Sequence, residues 1–293
     1  MKPDKVQLWL TELACVKKLA YKTIKTYLSG AITIASQMGY PNTIRDNEAI
    51  AFTIRGIKRT IGENAPNSDK KLRLPITTDI IQQIVRCLPK AMNRNYNQKL
   101  ILAAIVTGTY GLMPAGEFVS TSSAQQVVLC IENLKLYCNS PQRELLNLAT
   151  ARGNELQCCQ YYTINLTQSK VDPFKHGTVI TISNPIAVSA LVEYLLVHPS
   201  IRNPNSTLFV YHNGSNLSRR QLMEQVRILL RLAGVPNVES YKGHSFRKGG
   251  AQALKDKGYS DDIIQKMGRW SSDAHLLYAT NNVDFFTSIS NNM

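Results

Sequence analysis

An imidazole, a guanidinium, an indole and a phenol fall close together near the C-terminal end of the chain: His244 and Arg247 in HSFRKGG, Trp270 in GRWSS, then Tyr278. Together they suit an anionic phosphodiester. Arg247 offers a fork to two phosphate oxygens and keeps its charge at any working pH. His244 can donate to an oxygen or move a proton. Trp270 brings one N–H donor and an apolar wall. A deprotonated Tyr278 can attack phosphorus and become bonded to it.

Short helices must position these groups. Residues 245–257 have helical character and Gly258 is a good stop. His244 and Arg247, three apart, share a face at the start of that helix. Ser260 can cap a second helix over 261–267, ended by Gly268, and Ser271 or Ser272 a third that carries Tyr278.

An isolated H-x-x-R is usually a turn of surface helix, but the ordered set is specific. H-x-x-R, then GRWSSDA and a tyrosine eight residues after Trp270, resembles the C-terminal signature of tyrosine recombinases. The wording HSFRKGGAQAL and GYSDDIIQKMGRWSSDAHLLY is most similar to recombinases of eukaryotic mobile elements, the Crypton and DIRS-like types. The resemblance implies a DNA strand transferase in which Tyr278 forms a 3′-phosphotyrosyl bond and frees a 5′-hydroxyl, with no metal and no cofactor. Tyr259 lacks the right distance from Trp270 and sits at a turn beside Gly258.

Two further places carry the resemblance. SKVDPF, with Lys170, lies between two alternating segments, 161–166 and 178–183, and is similar to the lysine-bearing β-hairpin of the family. Lys170 would protonate the leaving 5′-oxygen; by itself, a hairpin lysine is usually just solvated. GLMPAGE, residues 111–117, departs from the family's G-L-x-R-x-x-E. Glu117 is present, but the first catalytic arginine's position is Pro114, which offers no donor. Proline also suits a helix start. Loss of a donor to a developing oxyanion costs about 10² to 10³ in rate, so the resemblance implies an impaired enzyme. Its alternatives are a DNA-binding protein that has lost catalysis and a nicking enzyme like the type IB topoisomerases.

The balance of 34 basic against 20 acidic residues, net +14, suits a polyanion, most simply double-stranded DNA. With 44% hydrophobic residues the chain can fill a sizeable core. The six cysteines follow no metal-ligand spacing. No signal-peptide pattern and no apolar run of spanning length occur, so the expected setting is intracellular, away from membranes. The resemblance narrows that to the nucleus for a eukaryotic host. It also implies a homo-oligomer, a dimer on a site and a tetramer in synapsis.

Residues 1–62 read as helices with apolar residues at helical spacing, notably Val6, Leu10 and Leu13, then Ile24 and Leu28, then Ile50, Ile54, Ile57 and Ile61. Their polar side carries Lys22, Lys25, Arg55, Lys58 and Arg59, either a solvated face or a clamp on DNA phosphates. TIKTYLSGAI resembles the helical core-binding domain of the family, which favours the clamp. Residues 63–75, polar with two prolines, read as a linker. Residues 76–293 form the expected catalytic domain, where Lys242, Lys248 and Arg269 would add DNA contacts. There we expect a Thr77- or Thr78-capped helix, a buried helix over 99–109, a strand over 126–131, a helix over 141–150, and helices over 185–198 and 217–233. The expected fold is mainly α with a small antiparallel β-sheet, the two domains closing as a C-shaped clamp around duplex DNA.

Overall fold

The computed structural model describes residues 2–41, 43–64, 73–121, 129–138, 145–167 and 177–270. The chain divides into two compact units, Met1–Lys71 and Leu72–Met293.

The first unit contains helix α1 (Pro3–Thr11), a π-helical turn (Glu12–Val16), α2 (Tyr21–Gln37) and α3 (Glu48–Asn64). Pro3 suits the first turn of α1, where its missing N–H costs nothing. The apolar spacing seen in the sequence buries Val6, Leu10, Leu13, Ile24, Ile44, Ile50 and Ile57 in one core. Gln7 adds a polar tie between α1 and α3, donating to the Thr53 hydroxyl at 2.9 Å. The α3 helix carries the Ile50, Ile54, Ile57 and Ile61 spacing and runs two residues past the expected end of the domain at 62.

The second unit begins with packed chain rather than free linker. Leu74 N–H donates to the Ser240 carbonyl at 3.3 Å and Ile76 N–H to the Ser245 carbonyl at 3.0 Å, with Ile76 fully buried. Of the expected linker, 65–72 lies outside the described residues. Then come α4 (Thr78–Ala91), capped by the Thr77 hydroxyl as expected, and α5 (Asn95–Tyr110). From Leu100 to Thr109 only Leu102 escapes full burial, so α5 is the central helix of the core.

After α6 (Ala115–Phe118) and a 3₁₀ turn (Ile131–Asn133) follow β1 (Leu134–Cys138), β2 (Leu145–Leu146), α7 (Gly153–Gln157), β3 (Cys159–Leu166) and β4 (Thr178–Ile182). These strands form one antiparallel sheet in the order β2-β1-β3-β4. Tyr162 on β3 is fully buried and pairs its hydroxyl with Thr107 of α5 at 3.0 Å, tying sheet to helix. The remaining helices are α8 (Pro185–Leu195), α9 (Arg219–Leu232), α10 (Ser245–Asp256) and α11 (Asp261–Gly268), with a 3₁₀ turn (Val238–Ser240) before α10. No helix of the described residues is long and apolar enough to cross a membrane.

The expected fold class stands, but the segment 119–160 differs from its reading. The strand expected over 126–131 lies partly outside the described residues, and its last residue, Ile131, opens a 3₁₀ turn instead. The strand forms at Leu134–Cys138, where Leu134 and Leu136 alternate inward. In place of a helix over 141–150, Leu145 and Leu146 pair with β1, and the described residues after them turn. Two hydrophobic residues paired to a neighbouring strand carry too little periodicity to be told from a helix.

Close approach of α10 to its neighbours depends on glycine. A Cβ at Gly249 would collide with the backbone of Ile76, and one at Gly250 with the Thr109 carbonyl of α5. Gly30 in α2 has nothing within 4 Å of a built Cβ. Replacing a helical glycine by alanine gains about 1 kcal/mol from backbone entropy, whereas overpacking costs about 1–3 kcal/mol or more. Gly30→Ala should therefore raise the midpoint of thermal unfolding, while Gly249→Ala should lower it by several degrees. An equal response at both positions would contradict the packing described.

Candidate active site

The site is assembled where α10, α11 and the turn before α6 meet. His244 is the residue that caps α10, and Arg247 lies in its first turn. The Ser245 hydroxyl holds the entry by accepting from Lys242 N–H at 2.9 Å. The turn 111–117 is fixed on that entry, since Ala115 N–H donates to the Gly243 carbonyl at 2.8 Å. Behind it, Phe118 packs edge-on against Phe246 with ring centroids 5.8 Å apart.

Arg247 is 8% exposed. Its Nη2 donates to the Gly268 carbonyl, its Nη1 lies 3.9 Å from Glu117 Oε1, and its guanidinium stacks 4.4 Å above the Trp270 ring. Stacking and a carboxylate on a nearly buried guanidinium hold it in one orientation before any ligand arrives. The backbone N–H of Trp270 donates to the Gln265 carbonyl at 3.1 Å, so α11 fixes the residue that carries the indole.

Arg269, expected at DNA, has another placement. It donates to the carbonyls of Gly111 and Leu112, both at 3.1 Å, and to Glu117 Oε2 at 2.9 Å. Burial pulls its pKa down while Glu117 pushes it up. Arg269 ends α11 in the left-handed conformation (φ 58°), the role expected of Gly268. Gly268 is the last helical residue instead, and a Cβ there would strike the Trp270 ring. Leu112, whose carbonyl Arg269 grips, is left-handed as well (φ 48°). Two non-glycine residues in that region cost of order 1–3 kcal/mol each, and here they clasp each other.

Lys248 also departs from its expected DNA role. It is 7% exposed, in the fully buried first turns of α10, and burial lowers its pKa. Residue spacing does not single it out, because every residue from Ser245 to Ala251 is buried. Lys242 is exposed. Pro114 has extended backbone and caps α6 from one position before its first residue. In the first unit Lys22, Lys25, Arg55, Lys58 and Arg59 are all exposed. Lys22 and Lys25 line one open groove along α2 with Thr26, Ser29 and Thr33. Lys170 and Tyr278 lie outside the described residues. Among the described residues no cluster of His, Cys, Asp and Glu could hold a metal ion.

The structure thus brings Arg247, Trp270, Glu117 and Arg269 into contact and sets His244 one helical turn from Arg247. Two guanidiniums flank one carboxylate, and an indole lies over Arg247.

Residues 159–283 match the model of the phage integrase family. Among solved structures, the chain is similar to the XerH site-specific recombinase bound to palindromic difH substrate in a post-cleavage complex. That likeness has a TM-score of 0.60 and 15% identity over 99% of this chain and 72% of that one. It is also similar to the Tn1549 transposon integrase in complex with a circular intermediate DNA, with a TM-score of 0.54 and 15% identity over 100% of this chain and 85% of that one. At such identity the likeness shows the fold. No curated protein matches the sequence.

Proposed function

We propose that the protein is a site-specific DNA recombinase that cuts and rejoins duplex DNA through a 3′-phosphotyrosyl intermediate. The observation that carries this reading is Arg247, nearly buried yet held by Trp270, Glu117 and Gly268 at the start of α10. The Tyr278 oxygen bonds to phosphorus as the bond from phosphorus to the 5′-oxygen breaks. His244 takes the phenol proton and Lys170 supplies one to the leaving 5′-hydroxyl. Arg247 and the Trp270 N–H stabilise the charge that builds on the phosphate. The reverse attack by a 5′-hydroxyl rejoins DNA, so bond energy is conserved without metal or nucleotide.

The wording HSFRKGGAQAL and GYSDDIIQKMGRWSSDAHLLY supports a Crypton- or DIRS-like recombinase of a eukaryotic mobile element, acting in the nucleus. Such a protein would act as a dimer on each site and a tetramer in synapsis. A second reading, a DNA-binding protein without catalysis, is favoured by Pro114 alone.

The reading is tested with a pool of nicked suicide duplexes of randomised sequence, enriched by rounds of binding and then incubated with the protein in EDTA. A protein–DNA adduct that survives denaturation is expected. Binding without any adduct would move the second reading ahead.

The exposed lysines of the first unit and Lys242 of the second are proposed to grip one duplex. Each phosphate that is no longer neutralised should flatten the log–log salt dependence of binding by about 0.9. The combined Lys22→Gln, Lys25→Gln and Lys58→Gln variant should show that change roughly threefold. An unchanged slope would remove the first unit from the DNA interface.

A further inference from the structure

The Pro114 position leaves one side of the phosphate without its guanidinium, and the structure holds three arginines near that turn. Arg247 is stacked on Trp270, and Arg269 commits its donors to two carbonyls and Glu117. Arg219 differs from both. It is the first residue of α9 and exposed, and among the described residues its side chain holds no carboxylate or carbonyl.

Its guanidinium nevertheless has a defined place. A Cβ built on Gly243 would lie 2.9 Å from Arg219 Nε, 3.2 Å from Nη2 and 3.3 Å from the Ala115 Cβ. Arg219 therefore lies against the bare backbone of Gly243, the residue before His244, and Ala115 packs on that same glycine. The start of α9 is anchored there, because Arg219 N–H donates to the Ser120 carbonyl at 2.8 Å and Ser120 N–H to the Leu217 carbonyl at 3.2 Å. A cation at the first position of a helix opposes the helix dipole by about 0.3–1 kcal/mol, a local cost that an anionic ligand would reverse.

We propose that Arg219 is the second catalytic guanidinium: it contacts the non-bridging oxygen of the scissile phosphate that the Pro114 position cannot reach. Gly243 leaves the guanidinium this berth, and a Cβ there would push the Arg219 side chain aside. The inference rests on the strand-transfer reading above. It removes the reason to expect a crippled enzyme.

The test measures single-turnover adduct formation at saturating DNA, on the enriched nicked duplexes, for five proteins. The unchanged protein should cleave, and Arg219→Ala should cleave about 10²-fold or more slowly. Gly243→Ala keeps every charge but displaces the guanidinium, and should slow cleavage similarly with an unchanged salt slope of binding. Pro114→Arg alone should gain little, whereas Pro114→Arg combined with Arg219→Ala should recover most of the rate that Arg219→Ala removes. A residue that merely holds α9 in place would give no such rescue. Arg219→Ala and Gly243→Ala proteins that cleave within a few-fold of the unchanged one overturn the inference and leave strand transfer standing. A folded double variant that stays slow overturns it too. No adduct from the unchanged protein overturns the strand-transfer reading, and this inference with it.

Discussion

Tyr278→Phe should abolish covalent adduct formation while leaving duplex affinity within a few-fold of the unchanged protein. The substitution removes one oxygen and keeps the ring, so nothing else about the chain's charge or bulk changes. The effect is all-or-none because the proposed intermediate needs that oxygen as a bonding partner of phosphorus. The check is a denaturing gel of trapped DNA beside a binding titration. A residual adduct at the unchanged level would exclude Tyr278 as nucleophile.

Arg247→Lys should lower the cleavage rate by about 10³ at saturating DNA. Lysine keeps the charge, so a smaller effect would follow if charge alone mattered. It cannot reproduce the fork, the stack on Trp270 and the bond to the Gly268 carbonyl together. Glu117 retains Arg269 at 2.9 Å in this variant, which spares it an unpaired carboxylate. Thermal unfolding should therefore shift less than activity does. A thousandfold loss accompanied by outright unfolding would instead mark Arg247 as structural.

The chemistry of the site is legible because its residues sit in short local frames. Gly258 takes a left-handed φ of 80°, as punctuation in the sequence implies, and Ser260 stands at the N-cap position of α11 without a capping bond from its side chain. Thr77 and the alternation of Tyr161 to Leu166 are of the same kind, set by nearest neighbours. What the sequence hides depends on distant contacts. The ties from Arg269 to Gly111 and Leu112 span 158 and 157 residues, and no local spacing announces them. Arg219 and Gly243 meet only because α9 starts beside α6, which neither segment encodes by itself. Lys248 is a different case: its charge suggests the surface, whereas the whole run from Ser245 to Ala251 is buried. Pro114 is legible as a helix start, but not as part of a turn that two arginines other than Arg247 approach.

The central claim, a 3′-phosphotyrosyl bond made by this chain, is tested most directly by mapping the trapped adduct. Nicked duplexes labelled on either side of the cleavage point are incubated with the protein, digested with nuclease and trypsin, and the modified peptide is sequenced by mass spectrometry. The account predicts a nucleotide linked through its 3′-phosphate to Tyr278, with a free 5′-hydroxyl on the released strand. Linkage to another tyrosine, linkage through a 5′-phosphate, or no linkage to a protein that binds the same duplex would contradict it.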